Sequence, residues 1–203
     1  MRNPPPKVQS QAPRRLGRDD FNQPTLKVAK HLIGKFIVRR QGRHLLWGMI
    51  TEAEAYKGPR DRAAHSFGGR RTARVEPLYG EGGTVYVYLI YGMHWMLNFS
   101  TAGAGLPEGL LIRGILAPME GEDIYLAGPG RVTKYLAIGK SLDRADSTSS
   151  KKIWIEDRGV RIPPKAIQRG PRIGIGYAGD YWAARPWRFW IGAVVASHAA
   201  ARI

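Results

Sequence analysis

The order of apolar and polar residues in the middle of the chain predicts β-strands more often than helices. The segment GTVYVYLIYGMHWMLNFST, residues 83–101, is filled with aromatic and β-branched residues and is interrupted by Tyr91 and Gly92. We expect two strands there, joined by a bend or tight turn. The other segments with strand character are residues 35–40, 44–56, 109–119, 151–157, 171–179 and 186–195.

Helical periodicity is found in two short segments. Apolar residues recur at helical spacing from Leu26 to Ile33, and Gly34 follows as a natural stop. The segment GPGRVTKYLAIG, residues 128–139, has the form of a turn followed by a short helix. Because strands outnumber helices and their connections are short, the pattern predicts an α+β fold with a mostly antiparallel sheet.

The two ends of the chain differ from its body. Residues 1–20 are rich in proline, glutamine and arginine with little to bury, so we expect a disordered basic N-terminal arm. Residues 21–195 show no break in composition and no internal repeat, which predicts a single domain. Residues 196–203 are expected to form a loose C-terminal tail.

Charge narrows the range of partners. The chain has 32 Lys and Arg residues against 16 Asp and Glu residues, which gives a net charge of +16 and a pI near 10.5. A field of this strength attracts polyanions, above all nucleic acid, whereas a small neutral substrate gains nothing from it. No stretch approaches the roughly 20 consecutive apolar residues of a membrane-spanning helix, so we expect no membrane partner.

The chain contains no cysteine, which excludes a disulfide framework, a thiolate zinc site and an iron–sulfur cluster. Its five histidines do not have the spacing of metal ligands. We therefore expect no metal site. A cytoplasmic location is expected, on the nucleoid if the cell is prokaryotic.

Glu52 and Glu54 lie two residues apart in the apolar segment WGMITEAEAY and so share one face of a strand. A carboxylate desolvated in such surroundings has a raised pKa and suits a general base near neutral pH. The opposite interpretation places both glutamates on an edge strand, solvated and idle. A pair of carboxylates also fits sugar hydrolysis, in which two carboxyl groups flank the glycosidic bond. Spacing alone leaves these alternatives open.

Tyrosines and arginines gather around the same segment. Tyr56, Tyr88 and Tyr91 come from two segments that could pack side by side, and an aromatic pocket edged by a carboxylate would stack a nucleobase. Tyr86 is interpreted instead as an ordinary core residue, and His65 as a hydrogen-bonding or structural histidine. The loop from residue 68 to residue 74 carries three arginines suited to phosphate groups.

Taken in order, these segments resemble one family of DNA repair enzymes. EAEAYKGPRDRAAHS, GTVYVYLIYGMHWMLNFS, LLIRG, LAGPGRVTKYLAI and RIGIGYAGDYWAARPWRFWI are similar to segments of the alkyladenine (3-methyladenine) DNA glycosylases. The similarity runs from about Leu26 to Ile191, which is most of the chain. The combination of an EAYxGPxDxAAH motif with YVYLIYGM and a downstream asparagine is highly specific.

The resemblance implies a fold and an activity. The fold would be one domain with a curved antiparallel sheet, short flanking helices and a protruding β-hairpin that enters the DNA minor groove. The enzyme would flip an alkylated or deaminated purine out of double-stranded DNA and hydrolyse its N-glycosidic bond. It would need no cofactor, act as a monomer and be monofunctional, leaving an abasic site without cutting the strand.

The resemblance also assigns roles at the reaction centre. Glu54 would be the general base that activates water for attack on C1′, and Arg113 would help to hold that carboxylate and water. Tyr56 and Tyr88 would stack on either face of the flipped purine, and His65 would contact its edge. A cationic methylated purine gains a cation–π attraction from such stacking.

Specificity and DNA contacts are implied for further residues. Asn98 would crowd the 2-amino group of guanine and so reject normal purines. Tyr91 would wedge into the gap left in the duplex, with Met93 beside it against the groove. The predicted contacts to phosphates come from Arg70, Arg71 and Arg131.

The sequence departs from the family pattern at several positions. Residues 60–62, RDR, are basic where the family is often acidic, and His94 with Trp95 varies the region next to the hairpin turn. The segment after Arg113 is one residue longer than usual, which puts its register in question. Glu52 would be a supporting or a purely structural residue. A non-catalytic relative that only binds damaged DNA is the alternative to a glycosylase.

Overall fold

A computed structural model describes residues 12–193 and 196–197. Its ten strands form one sheet with the order β1-β8-β2-β3-β6-β5-β4, to which β10, β9 and β7 are attached, and every pairing is antiparallel. The strands are β1 Arg14–Arg15, β2 Phe36–Gln41, β3 His44–Tyr56, β4 Val85–Ile90, β5 His94–Thr101, β6 Glu108–Met119, β7 Glu122–Ala127, β8 Ile153–Asp157, β9 Gln168–Gly170 and β10 Arg188–Trp190.

Helices are few and short. None of those in the described part of the chain has the length and apolar character needed to span a bilayer. The α-helices are α1 Arg18–Phe21, α2 Thr25–His31, α3 Pro129–Tyr135 and α4 Asp180–Ala183, and the 3₁₀ helices are Gly58–Arg60, Phe67–Gly69, Glu76–Tyr79, Lys140–Leu142, Pro164–Ala166 and Gly176–Ala178. The α+β fold expected from the sequence is confirmed.

The two longest strands, β3 and β6, form the centre of the sheet and exchange partners along their length. Along its outer edge, β3 pairs first with β2 and then with β10. Along the other edge of the pair, β6 pairs with β5 through residues 108–111 and with β7 through residues 114–119. Because each end of the central pair has different neighbours, the sheet curls into a half-barrel. α2 and α3 lie on the same core, whose largest buried side chains include Phe21, Phe36 and Phe99.

The β3–β6 ladder contains a paired irregularity. Ile50 lies opposite Ile115 and Ala53 opposite Ile112, but Glu52 lies opposite Gly114, so Thr51 and Arg113 have no partner in the ladder. One extra residue on each strand cancels the other, and the normal register resumes beyond them.

Three expectations about the elements need correction. The N-terminal arm is not disordered throughout, because Arg14–Arg15 pairs with β8 and Arg18–Phe21 is helical; residues 1–11 lie outside the described part. Residues 171–179 are not a strand, since Gly174 and Gly179 have left-handed backbone angles that break extended structure. The last predicted strand is shorter, Arg188–Trp190.

β7 was missed by the sequence analysis. Its segment, EDIYLA, begins with two charged residues, and it lies at the border of the sheet, where most of its side chains are exposed or half-buried. Such a strand lacks the dense apolar pattern that identifies a central one. Of the expected C-terminal tail, only residues 196 and 197 lie in the described part, and Ala196 is buried in the core.

Gly114 leaves space for the irregularity and provides a test of it. A Cβ at this position would lie 2.9 Å from Thr51 Oγ1 and 3.0 Å from Glu52 Cβ. We expect Gly114→Ala to lower the free energy of unfolding by about 1–3 kcal/mol, because overpacking displaces its neighbours. Urea unfolding measures the loss. Gly139→Ala is the control, since its Cβ would meet open space at an extended backbone; equal stabilities of the two variants would contradict the expectation.

Candidate active site

Glu54 is buried at the centre of the sheet. It has neighbours on both sides, Leu111 of β6 and Arg188 of β10, and its relative exposure is 0%. Glu52, on the same face, is 7% exposed. The interpretation of both glutamates as solvated residues on an edge strand is therefore wrong. β10 pairs with this part of β3, which would otherwise lie at the edge of the sheet.

Both oxygens of Glu54 have partners from different parts of the chain. Oε1 accepts a hydrogen bond from the Ile173 backbone N–H at 2.8 Å, and Oε2 accepts one from the Tyr56 hydroxyl at 2.9 Å. Arg113 Nε lies 3.3 Å from Oε1. The carboxylate is thus held in one orientation by a loop amide, by its own strand and by β6.

Arg113 joins the two glutamates. Its Nε is 3.3 Å from Oε1 of Glu52 as well as from Oε1 of Glu54, and Arg188 Nη1 lies 3.1 Å from the same Glu52 oxygen. Glu52 is therefore engaged by two guanidinium groups. A carboxylate held in this way is a counterion for the arginines, which argues against the paired-carboxylate arrangement of sugar hydrolases.

Burial shapes the proton affinity of Glu54. Desolvation raises the pKa of its carboxyl above the ordinary value, while Arg113, the Ile173 N–H and the Tyr56 hydroxyl oppose this rise and Glu52 adds to it. Burial and the neighbouring Glu54 also raise the pKa of Tyr56 well above its usual value, so the phenol remains a donor. A carboxyl group with raised proton affinity is chemically suited to act as a general base.

A cleft of about 1110 Å³ opens beside this carboxylate, with Tyr56, Tyr88, Arg113 and Ile173 among its walls. A smaller recess adjoins it. The recess is lined by aromatic, small and amide side chains that include Tyr56, Ala64, His65, Tyr86, Tyr88, Asn98 and Tyr177. The structure therefore brings together all four residues that the sequence assigned to base binding, namely Tyr56, His65, Tyr88 and Asn98.

His65 is fixed by tyrosines. Its Nδ1 lies 2.8 Å from the Tyr86 hydroxyl, and its ring centroid lies 4.6 Å from that of Tyr88, at an interplanar angle of 67°. Burial, followed by the charges of Arg74 and Arg70, lowers the pKa of His65 to about 4. The interpretation of Tyr86 as a core residue is only half right: the ring is buried, but its hydroxyl orients His65. Tyr86 and Tyr88 are two residues apart on β4 and so share one face, and this alternation could have indicated that Tyr86 also lies at the site.

Asn98 is buried on β5 and forms part of the wall of the recess. Its Nδ2 donates to the backbone carbonyls of Tyr86 at 3.2 Å and Met96 at 3.4 Å. These two bonds fix the orientation of the amide and direct its oxygen away from them. The side chain is thus a rigid part of the wall.

The predicted hairpin is present. β4 and β5 pair from Val85–Phe99 to Ile90–His94, and Met93 N–H donates to Ile90 O across the turn. Tyr91 and Gly92 have φ angles of 53° and 68°, as in a type I′ turn. Tyr91 is 82% exposed and Met93 is 71% exposed, so both stand out from the tip.

The three predicted phosphate-binding arginines have different surroundings. Arg131, at the start of α3, lines the cleft together with Tyr91 and Met93. Arg71 is engaged by Glu76, at 2.7 and 2.9 Å, and stacks over a tyrosine ring. Arg70 is exposed in the same loop, outside the walls of the cleft.

Several residues at the site were given no role by the sequence analysis, although they lie in its quoted segments. Ile173 supplies a backbone N–H to Glu54, and Arg172 and Asp61 form a fully buried ion pair beside Tyr56. Residues 61 and 172 are separated by 111 positions, so no local pattern could indicate the pair. Within the described residues, no group of three or more His, Cys, Asp and Glu side chains could hold a metal ion.

Comparisons with known proteins show which family and which relatives this chain resembles in sequence. A family model described as methylpurine-DNA glycosylase (MPG) matches residues 19–194. A Clostridium perfringens protein named "Putative 3-methyladenine DNA glycosylase" is 40% identical over 199 residues, covering 87% of this chain and 95% of that protein. The human protein named "DNA-3-methyladenine glycosylase" is 36% identical over 200 residues, covering 87% of this chain and 65% of that protein.

The lowered pKa of His65 can be observed directly. We expect its imidazole to stay neutral from about pH 8 down to about pH 5, because its pKa lies well below the ordinary histidine value. A ¹H–¹⁵N NMR titration of the ring nitrogens, assigned with His65→Gln, measures this. A blocked histidine peptide in the same buffer serves as the control. A His65 that titrates near the ordinary histidine value would contradict the expectation.

The raised pKa of Glu54 has a consequence for stability. The folded state holds this proton more tightly than the unfolded state, so stability falls as pH rises through the folded pKa. Glu54→Gln resembles the protonated carboxyl. We expect it to be more stable than the wild type at about pH 8, and to lose that advantage on acidification below the folded pKa. Urea unfolding across this pH range, with the exposed Glu122→Gln as control, tests the sign. A Glu54→Gln variant that is less stable at high pH would refute it.

Proposed function

The chain belongs to the methylpurine-DNA glycosylase family and is a DNA glycosylase, and we propose that it excises alkylated and deaminated purines from double-stranded DNA. The observation that carries the proposal is the buried carboxylate of Glu54, which is held by Tyr56, Arg113 and Ile173 directly behind the wall of a cleft with an aromatic recess. The proposed domain covers residues 21–195 and acts as a monomer, on the nucleoid if the cell is prokaryotic.

In the proposed reaction, Glu54 removes a proton from a water molecule while the water oxygen attacks C1′. The C1′–N bond breaks, its electron pair leaves with the purine, and a C1′–O bond replaces it. Arg113, shared between the two glutamates, keeps the base and water aligned. A purine methylated at N3 leaves as a neutral base, so a single carboxylate suffices.

The recess would receive the flipped base. Tyr56 and Tyr88 present ring faces for stacking, and the neutral His65 offers its second ring nitrogen to the edge of the purine. Asn98, immobilised by two backbone carbonyls, would exclude the 2-amino group of guanine. A neutral imidazole allows both cationic and neutral damaged bases to enter.

The hairpin and the basic surface would hold the duplex. Tyr91 fills the gap left by the flipped nucleotide, with Met93 against the minor groove. Arg131 on the cleft wall and Arg70 at its loop contact phosphates, whereas Arg71 must first leave Glu76 to do so. Because water rather than an amine attacks C1′, the strand would stay intact after excision.

A single-turnover assay tests the proposal. Labelled duplexes, each with one 3-methyladenine, hypoxanthine or ethenoadenine, are incubated with excess enzyme, and the products are compared before and after alkali. We expect excision by the wild type, cleavage of the strand only after alkali, and a rate about 10²- to 10⁴-fold lower for Glu54→Gln. Glu122→Gln, an exposed change on β7, should match the wild type.

Three results would each contradict a different part of the proposal. Binding of all three duplexes without excision from any of them would make the protein a non-catalytic damage-binding relative. Excision by Glu54→Gln at the wild-type rate would remove Glu54 from the role of base. Strand cleavage without alkali would overturn the monofunctional mechanism alone.

A further inference from the structure

The most deeply buried ion pair among the described residues plays no part in the reaction outlined above. Arg172 and Asp61 are both 0% exposed at their side chains, and two parallel hydrogen bonds of 2.5 and 2.9 Å join them. Burying two charges costs free energy that their attraction only partly returns, so such a pair is weak evidence for a role in stability alone. Its position relative to the catalytic groups indicates another role.

Arg172 reaches two catalytic groups by separate contacts. It directly precedes Ile173, whose N–H donates to Glu54 at 2.8 Å. Its guanidinium lies 4.6 Å from the centroid of the Tyr56 ring and donates to the carbonyl of Ala55 at 3.0 Å. One face of Tyr56 is thereby covered, which leaves the other for a stacked base.

Asp61 anchors the opposite wall of the recess. Its two oxygens accept the backbone N–H groups of Lys57 and Ala63, each at 3.0 Å, in addition to the two bonds from Arg172. The chain then continues into Ala64 and His65, which line the recess. The pair therefore joins the end of β3, the loop that carries His65, and the loop that carries Ile173.

We propose that Arg172 and Asp61 are positioning residues for the glycosylase reaction: together they hold the Ile173 N–H on Glu54 and the Tyr56 ring at the base-stacking distance. This inference rests on the proposed function. The bidentate fork and the planar stacking surface are properties of arginine that lysine lacks, even though lysine keeps the charge. Arg172→Lys therefore loosens the arrangement without leaving Asp61 with an uncompensated charge.

Another arginine of the same chain provides a matched control. Arg158 lies 4.6 Å from the centroids of both Phe36 and Trp47, and its Nε donates to Glu156 at 3.0 Å. Arg172 likewise stacks on two aromatic rings, Tyr56 and, at 4.9 Å, Trp187, and pairs with one carboxylate. Arg158 and its partners lie outside the walls of the cleft and recess. Arg158→Lys makes the same chemical change away from the site.

The loss of the Ile173 bond has a predictable effect on Glu54. This N–H favours the ionised carboxylate, so a weaker bond should raise the pKa of Glu54 further and move the acid limb of the pH–rate profile to higher pH. Displacement of the Tyr56 ring would weaken its own hydrogen bond to Glu54 and shift the pKa in the same direction. All other polar groups facing Glu54 are chemically unchanged in the variant. They are Glu52, Tyr88, Arg113 and Tyr177.

The experiment compares wild type, Arg172→Lys and Arg158→Lys in single-turnover excision, in duplex binding and in thermal unfolding. For Arg172→Lys we expect a rate at neutral pH about 10- to 100-fold lower, with duplex affinity nearly unchanged, because a displacement of about 1 Å is costly in rate but not in binding. Arg158→Lys should keep the wild-type rate and pH profile. Asp61→Glu keeps the negative charge but displaces the carboxylate by one methylene, so it should show a loss in the same direction, and it serves if Arg172→Lys does not fold.

A readout independent of catalysis separates this inference from the proposed function. ¹³C NMR of the Glu54 carboxyl, assigned with Glu54→Gln, reports its pKa in each variant, and we expect an upward shift in Arg172→Lys and none in Arg158→Lys. A wild type that excises nothing would refute the proposed function, while this titration would still test the positioning of Glu54. Folded Arg172→Lys or Asp61→Glu with the rate, profile and Glu54 pKa of the Arg158→Lys control would overturn the inference.

Discussion

The ionisation of Glu54 inside the sheet is the constraint on which the rest of the structure depends. A charged carboxylate buried away from bulk solvent must be stabilised by donors, and here these are Tyr56, Arg113 and the Ile173 N–H. The three come from β3, β6 and a glycine-rich loop, so the site forms only when the whole domain is folded. Net destabilisation of the charged form remains, and this suits the carboxylate to the proposed role of general base.

The irregular ladder between β3 and β6 allows Arg113 to serve two carboxylates. A regular antiparallel pair presents each side chain to one neighbour directly opposite. Here the residues left unpaired at Thr51 and Arg113, together with the missing side chain at Gly114, make space for Glu52. Glu52 then balances the charge of Arg113, and Arg188 balances that of Glu52. Charges in this row alternate, which permits four ionised groups within one sheet.

The sequence predicts most of the sheet, because its strands are dense in β-branched and aromatic residues and its hairpin turn contains glycine. It could not decide whether Glu54 points inward, since alternation is the same for a solvated and a buried face. β10 settles this by pairing with β3; the sequence predicted a strand in this segment, but not its partner. The contacts of Arg172 depend on chain segments brought together by folding, and motif similarity alone carried the assignment of Asn98.

The turn at Tyr91 has a consequence for how a lesion is found. A tyrosine at a φ of 53° occupies a conformation that glycine or asparagine adopts more easily, so the chain holds an aromatic ring at the tip against local preference. The two-stranded hairpin keeps that ring outside the body of the protein before any duplex arrives. As a wedge, such a ring would press equally on every base step it passes. Steps weakened by damage yield with the least work, so mechanical weakness in the duplex would be sensed before the chemistry of the base is read.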